Sequence, residues 1–168
     1  MPLHFRPAGT VAATPTLRLH DATLRDLVRN RGGQELGHAT FNIYWKGPPP
    51  DAEGRPTRLD VIFALRIEMP VWTRYPRRPE AERREWDRFY LALLEHERGH
   101  IAIIRREAQT TYKRLLAATE ATIKNVAEQE RQRIRRAGAA YDHNTDKGRR
   151  QKSKHGTTVI VVPPNTTE

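Results

Sequence analysis

Between Pro79 and Ala140 the chain contains no proline, and only Gly99 and Gly138 interrupt an otherwise helix-compatible stretch. One unbroken helix over that length would run about 90 Å at 1.5 Å per residue, implausible for a domain of this size. The stretch must fold back on itself. Its weakest point is Thr119-Glu120-Ala121-Thr122, where two β-branched residues fall close together. A turn there predicts a helical hairpin.

The first arm of that hairpin carries His96-Glu97-Arg98-Gly99-His100, a match to H-E-x-x-H. Residues four apart lie on one face of a helix, so His96 and His100 can hold one zinc ion while Glu97 serves as general base toward a water. Trp86, Phe89, Tyr90, Leu93, Ile101, Ile104, Ala108 and Leu115 recur at helical spacing and define a core-facing stripe. At 100° per residue Glu97 falls near the middle of the stripe, His100 just off it and His96 at its edge. Three polar side chains facing a core need partners, because burying them unpaired is costly. A metal ion supplies such partners.

The hairpin also indicates a third ligand. From His100 to Ala121 the chain travels twenty-one residues outward, and from Thr122 to Asp142 twenty residues back. Arms of equal rise return Tyr141-Asp142-His143 to the level of His100. His143 is the first choice there, because imidazole is a common zinc donor, and Asp142 the second. Glu120 has the spacing of thermolysin-like proteases but would need a turn soon after His100. Glu107 lies about 10 Å farther along the helix axis. Position 106 is Arg106, so a third-His pattern beginning at His100 is absent.

Ahead of the hairpin the pattern changes. Residues 1–16 read as a loose Pro/Ala/Thr-rich arm. Leu17–His20 reads as a short strand, and residues 21–28 as a helix capped by Asp21 and ended by Gly32-Gly33. His38–Trp45 and Leu59–Met69 read as longer strands, the second closed by Pro70. The expected fold class is α+β: a small sheet, most simply antiparallel, packed on the long helix. Residues 17–151 form the expected domain. Residues 152–168 form a basic tail in which Thr157–Val162 reads as a strand. His20 and His38 read as structural or exposed.

The chain has no Cys, so a zinc site must use His and carboxylate ligands. No apolar run approaches the length of a membrane span, and the first twenty residues lack the apolar core of a secretory signal. As written the chain is expected to start in the cytoplasm. A net charge of +10 is compatible with a polyanionic partner, but the Arg131–Arg136 and Lys147–Lys154 clusters lack interleaved aromatics, and nucleic acid is not the favoured partner.

The chain resembles the bacterial domain-of-unknown-function family 922, whose members are described as predicted secreted zinc-dependent proteases. The resemblance runs over residues 17–151. It includes Gly32-Gly33, Tyr44-Trp45, Met69-Pro70-Val71-Trp72, the H-E-x-x-H segment, and Tyr141-Asp142-His143-Asn144-Thr145-Asp146-Lys147-Gly148, which is similar to the family's Y-D-x-x-T-x-H-G and is followed by Gln151. Lys147 stands where the family carries His; His143 or His155 would then have to compensate. The resemblance implies a secreted zinc protease acting on protein or peptide.

Two readings of function follow. In the first, His96, His100 and His143 hold Zn²⁺, Glu97 is the base in peptide-bond hydrolysis and Tyr141 donates to the tetrahedral oxyanion. In the second, the chain is a metal-binding or inactive relative acting as a basic interaction protein.

Overall fold

The computed structural model describes residues 3–6 and 9–164. Its elements are β1 (Leu3–Arg6), β2 (Ala13–Leu19), α1 (Leu24–Arg31), β3 (His38–Lys46), β4 (Asp60–Trp72), a 3-10 turn at Tyr75–Arg77, α2 (Glu80–Leu116) and α3 (Ile123–Thr145). The fold class is α+β. The chain divides into two compact units, one made of Met1–Ala12, Ala39–Arg66 and Gly99–Tyr141, the other of Ala13–His38, Ile67–Arg98 and Asp142–Glu168.

In the first unit the hairpin is present. α2 ends at Leu116 and α3 begins at Ile123, so the turn falls on the expected Thr119–Thr122. The Thr122 hydroxyl oxygen accepts from the Thr119 N–H at 3.0 Å, and the Ile123 N–H donates to the Thr119 carbonyl at 2.9 Å. A β-branched residue that helix disfavours thus offers the backbone another partner. Along α2 from Gly99 through Glu107 to Arg114, the residues faced on α3 run from Tyr141 through Arg133 back to Glu130. The seam is polar at its far end. Glu130 is fully buried and accepts from Thr111 at 2.9 Å, Arg114 at 2.6 Å and Arg133 at 2.7 Å, while Arg133 also pairs with Glu107. In the same unit β1 pairs in parallel with β4, from Leu3 opposite Val61 to Arg6 opposite Ala64, and β3 pairs with β4.

In the second unit β2 pairs in parallel with β4, from Ala13 opposite Ile67 to Leu19 opposite Trp72. Burial alternates along β4 until Met69 and Pro70, both buried, and there the register shifts between Pro15 and Leu17. An irregularity of this kind accommodates a proline that has no N–H for the ladder. Trp72 stacks at a tilt on Trp86 with ring centroids 5.5 Å apart, joining strand to helix. Glu82, fully buried, accepts from Arg78 at 2.9 and 3.1 Å and from the Leu24 N–H at the start of α1.

Several expectations need correction. The sheet is not antiparallel throughout, since two of the three pairs with β4 are parallel; β1 and β2 both reach β4 by long connections, which parallel pairing requires. Residues 3–6 and 13–16, expected in a loose arm, are strand; residues 1, 2, 7 and 8 lie outside the described residues. α1 is capped by Thr23 rather than Asp21, its hydroxyl accepting from the Asp26 N–H. β4 continues past Pro70 to Trp72. Thr157–Val162 is irregular, with a bend at Thr158, and pairs with no strand among the described residues; the Thr157 and Val159 carbonyls are taken by Arg88 instead.

The buried carboxylate of the seam yields a test. Burial pushes the Glu130 carboxyl up, but the Arg133 and Thr111 hydrogen bonds and the nearby arginine charges outweigh it and hold it below the usual glutamate range. The Arg133 hydrogen bond likewise lowers Glu107. The folded state then binds these protons less readily than the unfolded chain, so the stability they contribute is present above the unfolded value of about 4.3 and is lost as pH falls through the lower folded values. Glu130→Gln should flatten that acid loss in urea unfolding curves, and Glu130→Ala should cost about 3 kcal/mol at neutral pH. Unchanged acid sensitivity in Glu130→Gln would remove the seam from the account.

Candidate metal centre

The apolar stripe of α2 is interrupted where H-E-x-x-H requires it to be. His96 and Glu97 are 2% and 1% exposed, among Phe89, Leu93, Ile101 and Ile104, all buried. His100, one turn on, is half-buried. On α3, Asp142 accepts from His96: Nε2 and Oδ1 are 3.0 Å apart. One ligand atom from each of His96, His100 and Asp142 lies within 4.8 Å of the others, the one such group among the described residues.

These residues fit a zinc ion. Zinc takes nitrogen and oxygen donors at about 2.0–2.2 Å, and two imidazoles with a carboxylate form an established catalytic set with one position left open. Tetrahedral geometry at those lengths puts neighbouring donors about 3.3 Å apart. The observed 3.0 Å is a few tenths short of that, within the reach of a small side-chain adjustment.

The sequence reading preferred His143, and the structure does not bring it to the group. His143 is exposed, one position and therefore about 100° around α3 from Asp142. The hairpin set the correct level but counting residues could not set the rotation. His155 is also outside the group; its carbonyl accepts from Arg88. Lys147 lies beyond the end of α3 in a left-handed turn with Asp146 and Gly148, at φ of 52°, 49° and 84°, and its ammonium is 4.0 Å from Glu35.

Three glycines shape the surroundings. A Cβ on Gly99 would run into the Tyr141 phenol, and one on Gly138 would lie 3.3 Å from His100 Nδ1. Tyr141 meets the His100 ring edge-on, with centroids 5.0 Å apart at 87°, a favoured aromatic arrangement. A Cβ on Gly37 would lie 3.0 Å from Glu97 Oε1 and 3.1 Å from Leu93 Cγ. Sequence reasoning saw Gly99 and Gly138 only as weak points in a helix and did not single out Gly37; all three are places where a side chain from a distant element comes against bare backbone.

The last motif block is accounted for in the same terms. Gly148 N–H donates to the Thr145 hydroxyl at 3.3 Å, and Gln151 Nε2 donates to the carbonyls of Ala92 at 2.9 Å and Gly156 at 3.1 Å. Tyr141 and Asp142 thus stand at the metal-ligand group, while Thr145, Gly148 and Gln151 turn the chain and moor it to α2. The family described as "Bacterial protein of unknown function (DUF922)" matches residues 14–149. The chain belongs to that family. No curated protein matches this DUF922 member, and no solved structure does.

The geometry predicts a specific ligand dependence. Asp142→Ala should weaken zinc binding by more than the 10–100-fold typical of losing an outer-shell partner, whereas His143→Ala should leave it unchanged. Competition against a chromogenic chelator reads both. Equal affinity in Asp142→Ala and the parent protein would exclude Asp142 as a ligand.

Proposed function

We propose that this DUF922 protein is a zinc-dependent peptidase whose metal ligands are His96, His100 and Asp142. The observation that carries the reading is the grouping of those three donors beside a buried glutamate on the same helix. Bound zinc would polarise the scissile carbonyl and lower the pKa of a coordinated water toward 7.

The chain's own residues supply the rest. Glu97 accepts a proton from the attacking water and passes it to the leaving amine, the role for which a carboxylate one position from a metal-binding histidine is placed. The missing Cβ of Gly37 leaves Glu97 Oε1 room that any other residue there would crowd. Asp142, hydrogen-bonded to His96, brings a negative charge that favours a cation. Tyr141, braced on His100, donates from its hydroxyl to the oxyanion of the tetrahedral state.

A second reading rests on Lys147, which stands where the family pattern has His. A metal-holding but inactive protein would bind zinc as above and cut nothing. Among the described residues no helix is long and apolar enough to cross a membrane, so no helical span limits the choice of partners.

Glu97→Gln should retain zinc and lower kcat/KM on an unfolded protein substrate by 10²- to 10⁴-fold, about what a general base contributes. Tyr141→Phe keeps the ring against His100 and should lower kcat by about 10²-fold with zinc content unchanged. Full activity in Glu97→Gln would sink the peptidase mechanism.

A further inference from the structure

His96 and Glu97 also line a cavity of about 210 Å³ whose walls all belong to the second unit. Leu27 and Val28 of α1, Leu36 of the following loop, and Phe89 and Leu93 of α2 supply apolar wall. An apolar cavity of about 150 Å³ admits a benzene ring, so this one has room for a leucine or phenylalanine side chain. Another part of the wall is the segment at Thr158, Val159 and Ile160.

That segment is moored through its backbone. Arg88 donates to the carbonyls of His155 at 3.0 Å, Thr157 at 2.8 Å and Val159 at 2.5 Å, and Glu85, paired with Arg88, accepts from the Val161 N–H at 2.7 Å. Arg88 thus takes every second carbonyl from 155 to 159, across a left-handed Gly156 at φ 78°. The Thr158 hydroxyl donates to the Lys147 carbonyl at 2.8 Å, tying the segment to the turn after α3.

Two of the cations at the cavity face carboxylates. Arg31 faces Asp21 at 3.7 Å and Lys147 faces Glu35 at 4.0 Å. Arg149 also lines the cavity, with Nη2 3.6 Å from where a Cβ on Gly33 would lie, and pairs with no carboxylate among the described residues.

We propose that this cavity receives a large apolar side chain of a peptide, beside the bond to be cut, and that Arg149 selects an acidic residue next to it. The place of the cavity beside a scissile bond rests on the peptidase reading; the binding preference does not. The substrate class is then peptides carrying Leu or Phe followed by Asp or Glu.

Fluorescein-labelled hexapeptides identical except for a central Phe-Asp, Ala-Asp or Phe-Lys pair test this by fluorescence anisotropy, on zinc-free and on zinc-loaded protein. Phe-Asp should bind at least about tenfold tighter than Ala-Asp and about threefold tighter than Phe-Lys at low salt. Val28→Trp, which fills the cavity, should abolish the first preference. Arg149→Glu, an exposed change that leaves the core untouched, should reverse the second and keeps the test available if Val28→Trp does not fold. Equal binding of Phe-Asp and Ala-Asp, or no response to Arg149→Glu, overturns the proposal. Cleavage of the same peptides separates the two readings. Preferential binding without cleavage on zinc-loaded protein keeps the pocket and removes the peptidase, while cleavage indifferent to the central pair overturns the pocket alone.

Discussion

Everything at the candidate centre depends on side chains being able to come against helical backbone. Gly99 lies under the Tyr141 phenol and Gly138 under the His100 ring. Glycine inside a helix is worth about 1 kcal/mol less than alanine, so two of them in long helices are a standing cost. What offsets it is geometric: without Cβ atoms at these points, Tyr141 can brace His100 and the residue after Tyr141 can reach His96. The same device recurs at Gly37 against Glu97.

Burial then decides the chemistry. His96 and Glu97 sit in the apolar stripe of α2 rather than on its wet face. A carboxylate and an imidazole held in that stripe are held in place by packing, and their electrostatic interactions are stronger than they would be in water. Away from the centre, two other buried carboxylates, Glu82 and Glu130, are satisfied by arginines and by backbone or hydroxyl donors. Their role is architectural: Glu82 ties the start of α1 to α2, and Glu130 closes the far end of the hairpin seam.

Much of this was legible in the residues. The hairpin followed from length and from the Thr119–Thr122 weakness, and the burial of Glu97 from its phase relative to Trp86, Phe89 and Leu93. Local signals of that kind survive because helix periodicity is set by nearest neighbours along the chain. The rotation of α3 that presents Asp142 instead of His143 was not legible, because counting residues through a turn fixes height but not phase. Nor was parallel pairing of β1 and β2 with β4, which depends on contacts distant in sequence. The tail reads as a strand because Val159, Ile160 and Val161 have strand propensity; its backbone partners are instead the Arg88 guanidinium and the Glu85 carboxylate. Asp142 did have a signal, its place in the Tyr141-Asp142 pair, although imidazole was preferred over it.

Arg88 and Glu85 hold that tail without reading its side chains. They grip carbonyls and an N–H that every residue but proline offers. The identities at 159 and 160 are therefore uncoupled from that grip while they set the shape of one cavity wall; Thr158, whose hydroxyl reaches the Lys147 carbonyl, is not. Substitution at 159 or 160 can reshape that wall while the backbone grip of Arg88 and Glu85 stays in place.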